Sequence, residues 1–413
     1  MFRNGGYHIF VLIPFAGSPH TRDAITMNFL ILGSGPEERA WASTIVRSTE
    51  HHLIMVFPGF ADADVTIPPS AQDLDDALAT PGVEAAVVGG DPAFRAEALR
   101  RIAAEGLPAI CLHPPGDDSE AYYQVTMSRD ETGAVLVPDL SERLHPGVIA
   151  LREAIDNSAL GEFRSLKYEA TIDPGDGDLV RFAFARAVDV VRFLLGEIEA
   201  VNATGDPLGD KPEVDLVVQF RGTKSRRAEV RLTSGLRGQK RFIFNGSAGI
   251  ATLELPLNQN DYARFVIRPL DASETLRAFA PHDEKAAILN VLSESIAGRS
   301  VHPDLTDGTR AMEISEAVAR SLRRGRTVEL HYEEISEDGT FKSVMTSLGC
   351  LVLVSILFVL PLALAGPALG IGWTIYLAYL IPPILVGFIL MQLFRLVTRG
   401  PAASRETTDL VAK

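Results

Sequence analysis

Apolar positions along the chain fall into successive regimes. From residue 28 to about 112, short continuous apolar runs alternate with stretches of helical period. The runs at 28–32, 52–57, 84–89 and 109–112 predict buried strands. Stretches from Pro36, at about 71–80 and over Asp91–Gly106 predict helices between them, with Pro36 suited to a first helical position and Gly106 to a helix stop. Strands alternating with helices predict a parallel α/β sheet, and such sheets hold ligands at the carboxyl ends of their strands. Beyond about residue 140 the pattern turns. Helices at about 144–158 and 178–195 bracket a strand at 163–172. Short runs at 214–220, 228–232, 241–245 and 250–255, joined by Gly-rich turns, predict an antiparallel sheet, closed by helices near 283–297 and 306–324. The fold class is therefore a parallel α/β domain (27–140) followed by an antiparallel α+β domain (141–335).

A further regime begins at Ser343. From there to Phe394, 52 residues carry no charge. One membrane-spanning helix needs about 20 apolar residues, so the pattern predicts a two-helix hairpin over 343–395, broken at Gly366–Gly372, with a tail at 396–413. Lys342 precedes it, and Arg395, Arg399 and Arg405 follow. The positive-inside rule then places both ends in the cytoplasm. The expectation is an integral protein of the cytoplasmic membrane, with the lipid bilayer as partner and the other domains facing the cytoplasm. At the other terminus, residues 1–26 hold the apolar run "IFVLIPFAG", too short to span. They are expected to be a disordered extension or the product of a mis-set start ahead of Met27.

Charge and cysteine content narrow the chemistry. A net charge of −14 over 413 residues argues against nucleic acid as a partner. Cys111 and Cys350 stand far apart in apolar runs, so neither a disulfide framework nor a cysteine metal site is expected. His282 and His302 have no metal-ligand spacing around them, and no metal is assigned.

The stretch "FLILGSGPEERAW" carries the first candidate chemistry. An apolar strand enters Gly33-Ser34-Gly35 and then a helix beginning at Pro36. Gly33 permits a tight turn, and Gly35 lets a pyrophosphate approach backbone. Gly89, at the end of the third strand, faces the same place. The third glycine of Gly-x-Gly-x-x-Gly is replaced by Glu38, whose carboxylate suits the helix dipole but competes with a phosphate for the same N–H groups.

The order of these segments resembles the Gfo/Idh/MocA oxidoreductases, from about residue 28 to 331. "LGSGPEERA" is similar to the family's first turn, and "VEAAVVGGDPAFRAEALRRIAAEGLPAICLHPP" to the strand–helix–strand leading to its Glu-Lys-Pro. "HPGVIALREAIDNSALGEFRSL", "DVVRFLLGEIEAV" and "DGTRAMEISEAVARSLRRGRTVEL" follow in the family's order. The resemblance implies a Rossmann fold for the first domain and an open, mostly antiparallel sheet in the second, with NAD or NADP as cofactor, a sugar or polyol ligand, hydride transfer, and a homo-oligomer formed through that sheet.

It also implies positions for acid–base residues. The Glu-Lys-Pro slot reads Leu112-His113-Pro114, and the Asp-x-x-x-His slot, set by its spacing to Asp189, reads Phe182-Ala-Phe-Ala-Arg186. Two readings stay open. In one, His113 is a general base and Arg186 holds an anionic substrate or alkoxide. In the other the site is inert and the chain is a membrane-tethered binding or scaffold protein that has lost dehydrogenase activity. A basic stretch, 220–242, has eight Lys and Arg against Glu229 alone. It reads either as a solvated or oligomer-facing sheet surface or as a dock for anionic headgroups.

Overall fold

The computed structural model describes residues 10–11, 26–60, 71, 73–172, 179–205, 215–235, 240–256, 258 and 260–331, with isolated positions between 358 and 376. The strands and longer helices described all belong to one compact unit, Met1–His331.

Five parallel strands form the first sheet, in the order His51–Phe57, Met27–Leu32, Ala85–Val88, Ala109–Cys111 and Leu136–Pro138. Ala85–Val88 is buried along its whole length, as a strand covered on both faces must be. On one face Phe29, Ile31 and Val87 pack with Trp41 and Ile45 of helix Pro36–Arg47 and with Ile288 and Leu292 of helix Glu284–Ile296. On the other, Leu30, Leu32 and Val88 pack with Leu99 and Ile102 of helix Pro92–Ala104 and with Tyr122. Tyr122 belongs to helix Glu120–Thr132, which the apolar pattern does not predict. Its sequence spreads Tyr, Val and Met around the helix instead of along one stripe, so the amphipathic signal is lost.

The second sheet has ten strands and is mixed. From one edge the order is Phe10–Val11, Thr275–Phe279, Ala263–Pro269, Gly249–Leu255, Lys240–Gly246, Phe163–Ile172, Arg227–Ser234, Asp215–Gly222, Ile198–Gly205 and Val328–Glu329. Two of its pairings are parallel, Phe10–Val11 with Leu276–Arg277 and Arg227–Ser234 with Phe163–Ile172, and the rest are antiparallel. Alternation sets its faces. Leu216, Val218 and Phe220 turn inward while Asp215, Gln219 and Arg221 turn out. The inward face is covered by helices Pro146–Asp156, Leu179–Leu195 and Leu305–Arg324.

The outward face carries most of the basic stretch, and part of its charge is paired there. Three of its arginines meet acids on neighbouring strands: Arg221 with Glu329 and Glu199, Arg231 with Asp215, and Arg241 with Glu169 and Glu254. Lys240 turns the other way, onto Glu142. A stretch that is basic in sequence is thus interleaved with acids in space.

The expected membrane anchorage is corrected. Among the described residues no helix is long and apolar enough to cross a membrane. Nearly all of the stretch 343–395, on which the expected hairpin falls, lies outside the described residues.

Candidate functional site

The glycine turn forms a small cradle. Gly33 ends the strand with φ +114°, a conformation suited to glycine, and a Cβ there would lie 2.5 Å from the Gly90 nitrogen. Gly33 N–H donates to Phe57 O at 2.7 Å, and Gly89 N–H donates to Leu32 O at 2.7 Å, which ties the turn to both neighbouring strands. Gly35 is the N-cap of the following helix, offers it no side-chain cap, and is followed by Pro36 at the first turn. Ser34 is exposed beside them. The fold therefore gathers Gly33, Ser34, Gly35, Pro36 and Gly89 in one place.

Glu38 fills that place. Its side chain is 3% exposed and turns back over the turn from the first helical residues. The Oε1 atom accepts a hydrogen bond from Gly90 N–H at 2.6 Å. A Cβ on Gly89 would fall 2.0 Å from Oε1, and a Cβ on Gly35 would fall 2.6 Å from Oε2. The carboxylate is thus seated where only glycines leave room.

The two expected acid–base residues have other partners. His113 is fully buried and stacks on Tyr122 with ring centroids 5.9 Å apart, its Nδ1 lying 3.0 Å from the Tyr122 hydroxyl. Burial pushes the imidazole well below its ordinary value, and the positive charges of Arg186 and Arg95 push the same way. His113 is therefore neutral at physiological pH. Arg186, on helix Leu179–Leu195, makes a two-pronged pair with Glu37, at 2.8 and 2.9 Å. Burial favours an upward shift of the Glu37 carboxyl, but Arg186 outweighs it and holds the group below its ordinary value. Glu37 and Glu38, adjacent in sequence, thus do different work: one grips helix Leu179–Leu195 and the other fills the cradle.

The fold also brings together titratable groups that the sequence reading does not single out. Asp139 follows the last parallel strand and accepts from Trp41 Nε1 at 3.3 Å. Glu142, one turn on, pairs with Lys240 of the second sheet. Glu284 opens helix Glu284–Ile296, with the Ser141 hydroxyl 3.4 Å from its Oε2. Burial raises the Glu284 carboxyl, and Glu142 and Asp139 add to the rise against the pull of Lys240. Lys240 is also raised: burial opposes its charge, and Glu142 and Glu284 outweigh that. These residues come from three segments more than forty positions apart. The one local signal was a pair of acids, Asp139 and Glu142, directly after a buried strand.

A second charged group anchors the junction from behind. Arg143, 4% exposed, binds the wholly buried Asp189 through two nitrogens, one of them Nε at 2.8 Å, and reaches Asp307 with its third at 2.9 Å. Arg192 also binds Asp307. His302, isolated in sequence, lies 2.8 Å from Asp307 and 3.8 Å from Asp304. Asp307 already serves two guanidiniums and the Asp304 N–H, so this trio reads as the end of an ion network. Beside the junction a cavity of about 480 Å³ is lined by Pro114, Asp118, Phe184, Met312, Glu316 and Arg320, among others.

This arrangement, a five-stranded parallel sheet joined to a large open sheet with a glycine turn at their junction, can be set against known proteins. The chain is 23% identical over 337 residues to inositol 2-dehydrogenase of Rhizobium meliloti (strain 1021), spanning 74% of this chain and 100% of the relative. In sequence and in fold the chain resembles the Gfo/Idh/MocA oxidoreductases. Among solved structures, aldose-aldose oxidoreductase from Caulobacter crescentus, complexed with glycerol, superposes with a TM-score of 0.62 at 20% identity, over 74% of this chain and all of that one. GenD2 from gentamicin A biosynthesis, in complex with NAD, gives 0.62 at 19% identity, over 80% and 100%. No family model matches the chain.

Proposed function

We propose that the chain is an NAD- or NADP-linked oxidoreductase acting on a hydroxyl of a sugar or polyol. The carrying observation is the cradle, which already holds an anion: the Glu38 carboxylate shows that Gly33, Gly35, Gly89 and Gly90 leave room and a donor for one. A phosphate group can take the same Gly90 N–H once that carboxylate has left. Inositol 2-dehydrogenase, similar along its whole length, supports the substrate class. A bound nicotinamide supplies the hydride acceptor.

The chain's own residues then handle the proton. His113 is neutral but wholly enclosed against Tyr122, so a substrate hydroxyl does not reach it in this arrangement. Glu284 is better suited as the acceptor, because its raised pKa brings it toward the working pH. Lys240 and Arg186 carry positive charge felt by the same acids, and this charge stabilises a developing alkoxide.

The test is a spectrophotometric screen of the full chain with NAD⁺ and NADP⁺ against inositols, aldoses and alditols. Reduced nicotinamide should appear with at least one of them, and Glu284→Gln should lower kcat by about 10²-fold or more. Absence of cofactor binding at millimolar concentration overturns the proposal. Unchanged kcat in the variant removes Glu284 from the chemistry.

A further inference from the structure

We infer that Glu38 is an internal ligand of the glycine cradle and the residue that limits its affinity for a diphosphate. The inference rests on the cofactor reading above and concerns what that site requires of its own chain.

Three observations carry it. The carboxylate is buried to 3% exposure in a spot lined by glycines, two of which could not carry a Cβ without meeting it within 2.6 Å. It takes the Gly90 N–H at 2.6 Å, a short charge-assisted hydrogen bond. Its neighbour Glu37 is gripped by Arg186 at 2.8 and 2.9 Å, which fixes the first helical turn against helix Leu179–Leu195. A diphosphate and this carboxylate cannot share one cradle: they need the same volume, and both are negative. Binding therefore requires Glu38 to swing out, and the apparent Kd is raised by the inverse of the fraction of molecules in which it has done so. An alanine or glycine at this position removes both the bulk and the charge. Glutamine removes the charge and keeps the bulk.

The experiment uses calorimetry on the full chain, comparing the wild type with Glu38→Ala, Glu38→Gly and Glu38→Gln. Inorganic pyrophosphate probes the cradle alone, and NADH and NADPH probe the whole cleft. Circular dichroism checks that each variant is folded, and alanine, a strong helix former, serves if glycine disturbs the helix. The Ala and Gly variants should bind pyrophosphate at least tenfold tighter than the wild type, and the Gln variant should fall between. A gain below threefold in folded Ala and Gly variants overturns the inference. A pyrophosphate gain without NADH or NADPH binding keeps the role of Glu38 and sinks the dinucleotide reading. Equal NADH affinity in the wild type and the Ala variant keeps the dinucleotide reading and sinks the role of Glu38.

Discussion

Removing Arg143 should be among the most damaging single changes in the chain. Arg143→Met keeps much of the side-chain length and can still pack against the Phe193 ring, over which the guanidinium now sits at 5.3 Å. What it removes is the counter-charge of Asp189, which is 0% exposed and takes both of its direct ion contacts from Arg143. Breaking a buried pair while leaving one charge in place costs about 3–5 kcal/mol. Asp307 adds little to this loss because Arg192 still holds it. The double change Arg143→Met with Asp189→Leu removes both charges and should cost less than either change alone, since apolar replacement of a buried pair is often near neutral. Urea unfolding of the four proteins in the double-mutant cycle gives the coupling directly. By heat, at about 2–4 °C per kcal/mol, the single change should lower Tm by on the order of 10 °C. A single-variant loss below about 1 kcal/mol, or a double variant whose loss equals the sum of the singles, would refute the reasoning.

Other predictions follow from the same geometry. Burial favours an upward shift of the Asp307 carboxyl, but Arg143, Arg192, the Asp304 N–H and His302 together hold it below its ordinary value. Its contribution is therefore complete above the unfolded pKa and is lost as pH falls through the folded one. The stability gap between wild type and Asp307→Asn, measured by urea titration, should be flat from pH 7 to 5 and shrink below pH 4; a gap that grew on acidification would contradict this. His113 should show imidazole NMR shifts that do not move between pH 8 and 5, because burial keeps it neutral; a midpoint near 6.5 would count against the enclosed geometry. Tyr122→Phe, which strips His113 Nδ1 of its partner, should cost about 1–3 kcal/mol in unfolding assays. Burial pushes the Cys111 thiol up to about 12. In a Cys350→Ser background, the native protein should therefore resist a disulfide thiol reagent at pH 8 and take up one equivalent after unfolding; rapid native labelling would show that strand Ala109–Cys111 opens.

Much of the fold was legible because burial on two faces and on one face write different patterns. The continuous runs at 28–32 and 109–112 became parallel strands, and alternation at 214–220 and 228–232 became half-covered ones. Helix Glu120–Thr132 and strands Ile198–Gly205, Ala263–Pro269 and Thr275–Phe279 were missed. In the strand Thr275–Phe279 no residue is fully buried, so the core imposes little alternation on it. The glycine turn was readable as a local motif, and Glu38 was visible as a departure from it. What one dimension could not show was direction. Nothing in "GPEE" says that Glu37 points to helix Leu179–Leu195 and Glu38 points back into the turn. Asp139, Glu142, Lys240 and Glu284 were invisible as a group for the same reason: each is ordinary in its own segment, and only the packing of two sheets brings them within range of each other's charge.

The ten-stranded sheet ends in a way that bears on how copies of this chain could meet. Among the described residues, each outermost strand is two residues long, Phe10–Val11 at one edge and Val328–Glu329 at the other. Beyond Val328, the exposed flank of strand Ile198–Gly205 is not free either: the Ala203 N–H donates to the Ser321 hydroxyl at 3.0 Å, and that hydroxyl donates to Arg326 O at 2.7 Å. A new strand arriving there would find one rung already taken by a buried serine. An edge this short and this occupied makes a poor template for strand addition. Growth of the sheet by strand addition at that edge is thereby discouraged, whereas the broad face presents Arg221, Arg231 and Arg241 among their acids. Contacts made through such a face would weaken as salt rises, whereas extension of the hydrogen-bonded ladder would not.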